Sequence, residues 1–154
     1  MKAWIWLRVA AVLQALGTVF HTLATARGTA SRGLREQAVF DAMQAFHFDL
    51  MGVSRSHWDF YRGYEFSITV IFAALAVLIW QLSDLSRADP RLARPLLLTI
   101  LACEILLSAM SWIYFFAGPG VMSLLIVLCL GMALLMLSRL HQPAIAKDRK
   151  IYAT

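Results

Sequence analysis

Charge is scarce in this chain. Only 15% of its 154 residues are charged, and nine of these are acidic against fourteen lysines and arginines. A soluble domain of this length needs far more polar surface to cover its core. With 60% apolar residues and a mean hydropathy of +0.69, the chain reads as a single membrane domain. Cysteine is nearly absent too. Cys103 and Cys129 each lie inside an apolar run without closely spaced ligands, which argues against a metal-thiolate site and for two small apolar side chains. There is no internal repeat and no low-complexity tract. The formal charge of +5 does not gather on one polar segment; basic residues stand at the ends of apolar runs, as headgroup anchors do. That distribution excludes nucleic acid as a partner.

What the chain does have is apolar length. A helix needs roughly 20 residues to cross a hydrocarbon core about 30 Å thick, and segments 9–26, 61–82, 96–117 and 121–140 meet that need. The expected fold is all-α: an integral-membrane four-helix bundle over 1–141, followed by a loosely ordered cytoplasmic tail, 142–154. A soluble four-helix bundle fails on the second and fourth segments, which have no hydrophilic face. The N-terminal segment has the small-x-small look of a cleavage site at Ala24-Thr25-Ala26. Arg8, Gln14 and His21 interrupt its apolar run, however, and it is expected to be the first span. Asp89-Pro90 predicts a helix stop and restart, and Gly118-Pro119-Gly120 predicts a tight turn that makes the last two spans antiparallel neighbours.

Nine basic residues fall on the side of Lys2, Arg87 and Arg139, and five on the side of Arg27 and Arg55. The bias places both termini in the cytoplasm. Residues 27–60 are then an extracytoplasmic, lid-like connection. Val39, Met43, Phe46 and Leu50 recur at i, i+4, i+7 and i+11, predicting an amphipathic helix over 34–51 that lies on the membrane or caps the bundle.

Ionisable groups inside the spans carry the functional signal, because a charge in hydrocarbon is costly unless it faces a partner, a cavity or a proton. Gln14, Thr18, His21 and Thr25 form one stripe on the first span. Arg62, Glu65 and Thr69 answer from the second, and Glu104, Ser108 and Ser111 from the third. At about 1.5 Å of rise per residue, Glu104, His21 and Glu65 stand about 12, 18 and 24 Å above the cytoplasmic boundary. Such a ladder can hold a ligand or pass a proton. A carboxyl kept neutral by apolar surroundings is the state a general acid needs, and Glu104 is assigned that role. Glu65 or Asp59 would be the base, His21 a relay and Arg62 an electrostatic clamp. The alternative is structural: Arg62 pairs with Asp59 or Glu65, while His21 and Glu104 bond each other or nearby hydroxyls.

The densest polar cluster, residues 51–65, sits at the mouth of the second span. It reads either as an interfacial aromatic belt or as a rim of Arg55, Asp59 and Arg62 for a headgroup or oxyanion. In the second reading Trp58 and Tyr61 line the entrance, and Gln14 and Trp112 are further ligand contacts. His47-Phe48-Asp49 and His57-Trp58-Asp59 repeat a His-x-Asp spacing that suits metal binding only on a strand. A helix is expected around His47, so no metal is assigned. A haem between helices would need two histidines at matching depth, and only His21 lies in a span, so no cofactor is assigned.

The run Met51-Gly52-x-x-Arg55-Ser56-x-Trp58-Asp59-Phe60-Tyr61-x-Gly63, with His21-Thr22, resembles a group of small four-span bacterial membrane proteins without an assigned activity. That likeness covers the first half of the chain and implies an architecture only. A chemical likeness links the chain to emopamil-binding-type sterol isomerases, which also place histidine, glutamate and tryptophan between membrane helices; none of their motifs occurs here. Two functions are therefore expected. One is an intramembrane acid/base enzyme (isomerase, cyclase or epoxide-opening) acting on a lipophilic small molecule. The other is a non-catalytic lipid-binding or accessory protein; a carrier built on so few spans would have to form a homo-oligomer.

Overall fold

The computed structural model describes residues 2–26 and 31–151, with side chains described as far as Arg139. In chain order the elements are α1 (Ala3–Ala26), α2 (Leu34–Ala45), β1 (His47–Leu50), β2 (Val53–Ser56), α3 (His57–Ala88), α4 (Pro90–Tyr114) and α5 (Ala117–Ile151). Among the described residues, α1, α3, α4 and the Ala117–Arg139 part of α5 are long and apolar enough to cross a membrane. By length and composition the chain is a multi-pass membrane protein. It divides into two compact units, Met1–Gly17 with Ala73–Thr154, and Thr18–Phe72.

The first unit is a four-helix core. Leu7, Ala10 and Ala11 of α1, Ile79 and Leu82 of α3, Ala93 and Leu97 of α4, and Ile126, Leu130, Ala133 and Leu137 of α5 are buried together. Lipid tails are as apolar as leucine, so burial alone does not drive this packing; close van der Waals contact does, and small residues permit it. Ala3, Ala10 and Gly17 recur every seven residues on α1, and a Cβ at Gly17 would touch Met122 at 3.8 Å. Large apolar residues such as Val12, Leu16, Leu78, Leu106 and Leu128 are left exposed, the arrangement expected where lipid is the solvent.

Polar contacts tie the same unit together at the N-terminal end of α1. Arg8 reaches Asp84 at 2.6 Å and lies 3.5 Å over the Trp80 ring. Ser83 donates to the Trp4 carbonyl at 3.3 Å.

Helix boundaries depart from expectation in two places. The link around residues 83–94 shrinks to Asp89 alone, whose carboxylate caps α4 by accepting from Arg91 N at 2.9 Å and Leu92 N at 3.1 Å. The stop and restart expected at Asp89-Pro90 is thus present. Gly118-Pro119-Gly120 is not the turn between the last two spans. The break falls at Phe115-Phe116, and the tripeptide forms the first turn of α5. Proline is tolerated there because first-turn N–H groups have no intrahelical partner. Helices α4 and α5 remain antiparallel neighbours, joined by Ser123 donating to Ser108 at 3.1 Å. Trp112 lies so close to Gly120 that a Cβ there would meet its ring at 2.8 Å. Helix α5 continues to Ile151 past residue 142, where the sequence reading begins a tail; residues 152–154 are outside the described part.

In the second unit the helix expected over 34–51 stops at Ala45, and no residue of α2 is buried. A two-stranded antiparallel hairpin follows, with His47 opposite Ser56 and Leu50 opposite Val53. Its turn residues, Met51 and Gly52, have φ of 52° and 82°. Two positive values favour the tight hairpin turn whose twist matches the strands. Aromatic packing holds the hairpin to α3: Phe48 contacts His57 at 5.2 Å and Phe60 at 5.7 Å, and Phe46 stacks on His57 at 5.8 Å. Residues 27–30 of the expected lid-like connection lie outside the described residues.

Candidate functional site

Helix α3 begins where the sequence carries Ser56-x-x-Asp59, a capping box. Ser56 gives its backbone N–H to Asp59 Oδ2 at 2.8 Å and its hydroxyl to the same oxygen at 3.0 Å. Asp59 N–H is 3.2 Å from Ser56 Oγ. Asp59, assigned above as a candidate base, is therefore engaged in starting the helix. That start sets the phase of every residue behind it. At about 100° per residue, Arg62, Glu65 and Thr69 take one face of α3 and Phe60, Gly63, Tyr64 and Ser67 the opposite face, with Asp59 at the edge between them.

The first face carries a bonded polar network. Arg62 Nη1 donates to Glu65 Oε2 at 2.6 Å and to the Thr25 carbonyl at 3.1 Å. The pair is partly buried, at 23% and 20% side-chain exposure. Thr69 stands 3.1 Å from His21 Nδ1, and its hydroxyl also reaches the Glu65 carbonyl at 3.3 Å. The His21 ring packs edge-on against Phe72 at 5.8 Å. Of the expected acid/base group, His21, Glu65 and Arg62 thus meet within the second unit, each with a protein partner. Tyr61 also interacts with Glu65 and Arg62.

The opposite face borders an open cleft of about 280 Å³, lined by Arg55, Asp59, Phe60, Gly63, Tyr64 and Ser67. Two members of the expected rim, Arg55 and Asp59, are here. Arg62, Trp58 and Tyr61 are not among the lining residues; Trp58 packs between Phe40 at 5.5 Å and Tyr61 at 5.6 Å. Arg55 gives Nη1 to the Ser54 carbonyl at 3.0 Å and forms no ion pair among the described residues. Phe60, Gly63, Tyr64 and Ser67 had no assigned role, although their i, i+3, i+4, i+7 spacing marks a single helix face.

No protein-family model, curated protein or solved structure matches the chain. Function therefore rests on geometry alone.

Glu104 and Gln14 belong to the first unit. Glu104 is 2% exposed and Gln14 4%. Glu104 Oε1 is buried without a hydrogen-bond partner among the described residues, one turn before the Ser108–Ser123 bond. Trp112, expected as a ligand contact, is half-exposed and covers Gly120. His47 and Asp49 stand on one side of a strand, not on a helix, which removes the reason given above for dismissing that pair as ligands. Even so, no three His, Cys, Asp or Glu side chains gather into a metal site among the described residues.

Proposed function

We propose that this chain is a small protein of the bacterial cell membrane, with both termini cytoplasmic, that binds a membrane lipid or lipophilic small molecule without altering it. The observation that supports this reading is the contrast between the two faces of α3. His21, Arg62 and Glu65 make their hydrogen bonds to the protein itself, the usual use of polar side chains between membrane helices. An open cleft lies on the other face, surrounded by a cation, a carboxylate, two aromatic rings and a side-chain-free glycine. Concave sites with a mostly apolar lining and a few polar groups are where small ligands bind. The likeness of residues 51–63 to small four-span bacterial membrane proteins agrees with the architecture.

The test is purification in mild detergent followed by mass spectrometry of co-purifying lipids. Wild type is expected to retain lipid that Gly63→Leu, which fills the cleft, loses. Wild type without bound lipid would refute the proposal.

A second reading, the acid/base enzyme on a lipophilic substrate, is favoured by one observation, the buried and unpartnered Glu104 oxygen. It requires turnover of a lipid that Glu104→Gln abolishes while lipid retention persists.

A further inference from the structure

We infer that the cleft beside α3 takes the zwitterionic head of a membrane phospholipid, a phosphodiester and a primary ammonium together, as in phosphatidylethanolamine. This rests on the lipid-binding reading above and names the ligand of the same site.

The charges lining the cleft are one of each sign. Arg55 uses one of its five N–H donors on Ser54, and the rest of its planar fork is suited to phosphate oxygens. Asp59 receives both Ser56 bonds on Oδ2, so Oδ1 is the oxygen left to accept from a ligand. A net-anionic head would satisfy Arg55 but bring its excess negative charge beside Asp59. A quaternary ammonium has no N–H to give Oδ1. A primary ammonium can donate there, with the rings of Phe60 and Tyr64 beside it to favour a cation.

Depth agrees with a lipid source. Asp59 to Ser67 spans about 12 Å along the helix. The interfacial layer of one leaflet is about 5–8 Å thick, so the cleft runs from the headgroup layer into the upper hydrocarbon. Its lower half turns apolar: Gly63 presents no side chain, and Ser67 donates its hydroxyl proton to the Gly63 carbonyl at 2.8 Å. At about 280 Å³ the volume is just below the range of sites that enclose a whole drug-sized ligand, about 300–1,000 Å³. It suits a head group whose chains continue into the bilayer.

The experiment is competition in nanodiscs holding equal phosphatidylethanolamine, phosphatidylcholine and phosphatidylglycerol with matched chains. Bound lipid is read by native mass spectrometry after gentle extraction, and soluble glycerophosphoethanolamine serves as a competitor. Wild type is expected to retain phosphatidylethanolamine at least about fivefold over each other lipid, the weight of a charge-assisted contact at a partly exposed site. Asp59→Asn, which keeps one oxygen for the Ser56 bonds and puts an NH2 where Oδ1 would accept, is expected to erase the preference. Arg55→Ala is expected to lower retention of all three lipids, whose phosphodiester is common, and Gly63→Leu to abolish it. Nothing lies within 4 Å of a Cβ at position 63, so the leucine variant is expected to keep the wild-type helical circular dichroism and melting temperature, both of which are measured beside it. Equal retention of the three lipids overturns the head-group assignment and leaves lipid binding standing. A preference for phosphatidylglycerol or phosphatidylcholine also overturns it. Complete displacement by the soluble competitor overturns the membrane source, and absence of any bound lipid removes both this inference and the function beneath it.

Discussion

Replacing Glu104 by methionine is expected to stabilise the protein by about 1 kcal/mol. The side chain is 2% exposed, and one carboxyl oxygen has no partner among the described residues. Leaving a buried polar group unpaired costs about 1–3 kcal/mol in a soluble protein. In a bilayer the unfolded helix also finds partners for its polar groups, and measured polar contributions average about 0.6 kcal/mol with a maximum near 1.7, so the lower end of the range applies. Methionine conserves volume closely enough that no cavity is opened. Glutamine keeps the shape but places two N–H donors in the same surroundings, and a loss of about 1 kcal/mol is expected. Reversible unfolding in mixed micelles, followed by circular dichroism as the denaturing detergent fraction rises, should rank the three proteins Met, Glu, Gln. A methionine variant less stable than wild type by 1 kcal/mol or more (about one polar contact) would mean that the carboxyl is bonded, and would refute the unpartnered reading.

The Arg62–Glu65 pair should show a coupling of about 1 kcal/mol in an Arg62→Ala, Glu65→Gln double-mutant cycle, its partial exposure keeping the value small; additive losses would show that the contact contributes nothing. Gly120→Ala drives a methyl group to 2.8 Å from the Trp112 ring, at an expected cost of about 1–3 kcal/mol. Adding Trp112→Leu should recover most of that loss in thermal melts, and failure to recover it would place the strain elsewhere. Met51 holds a φ of 52° that asparagine adopts more readily, and Asn-Gly is the preferred pair for this turn. Met51→Asn should therefore raise hydrogen-exchange protection of the hairpin amides by an amount equivalent to about 0.5–1 kcal/mol, and lower protection would contradict the turn geometry.

Length alone made the four long helices legible. In lipid every backbone N–H and C=O must be bonded within its own segment, so an apolar run of sufficient length has little choice but helix. Asp89-Pro90 was equally local, with a side chain that caps and a ring that fits the first turn. The hairpin was not legible. Val39, Met43, Phe46 and Leu50 keep a helical period, but Met51-Gly52 adopts two positive φ values, and Phe48 gains the faces of His57 and Phe60. Local spacing could not weigh that tertiary packing against helix propensity. Gly118-Pro119-Gly120 failed as a turn because proline ends a helix only from within, whereas in the first turn it has no hydrogen bond to lose.

The site divides differently. Which residues are polar, and that His21 and Glu65 lie on interior stripes, could be read directly; that His21 meets Thr69 and Arg8 meets Asp84, 48 and 76 residues apart, could not. Residues 51–65 read as a single rim, yet Ser56-x-x-Asp59 marks where α3 starts, and from that point about 100° per residue sends Arg62, Glu65 and Thr69 to one side and Phe60, Gly63, Tyr64 and Ser67 to the other. Arg55 and Arg62 therefore serve different purposes despite lying seven residues apart: one is held against a carboxylate and a carbonyl, and the other borders open space. The separation has a measurable consequence, because filling the cleft at Gly63 touches neither His21 nor Glu65. A Gly63→Leu chain should keep the Arg62–Glu65 coupling intact while losing its lipid, and loss of both together would mean that the two faces of α3 act as one site.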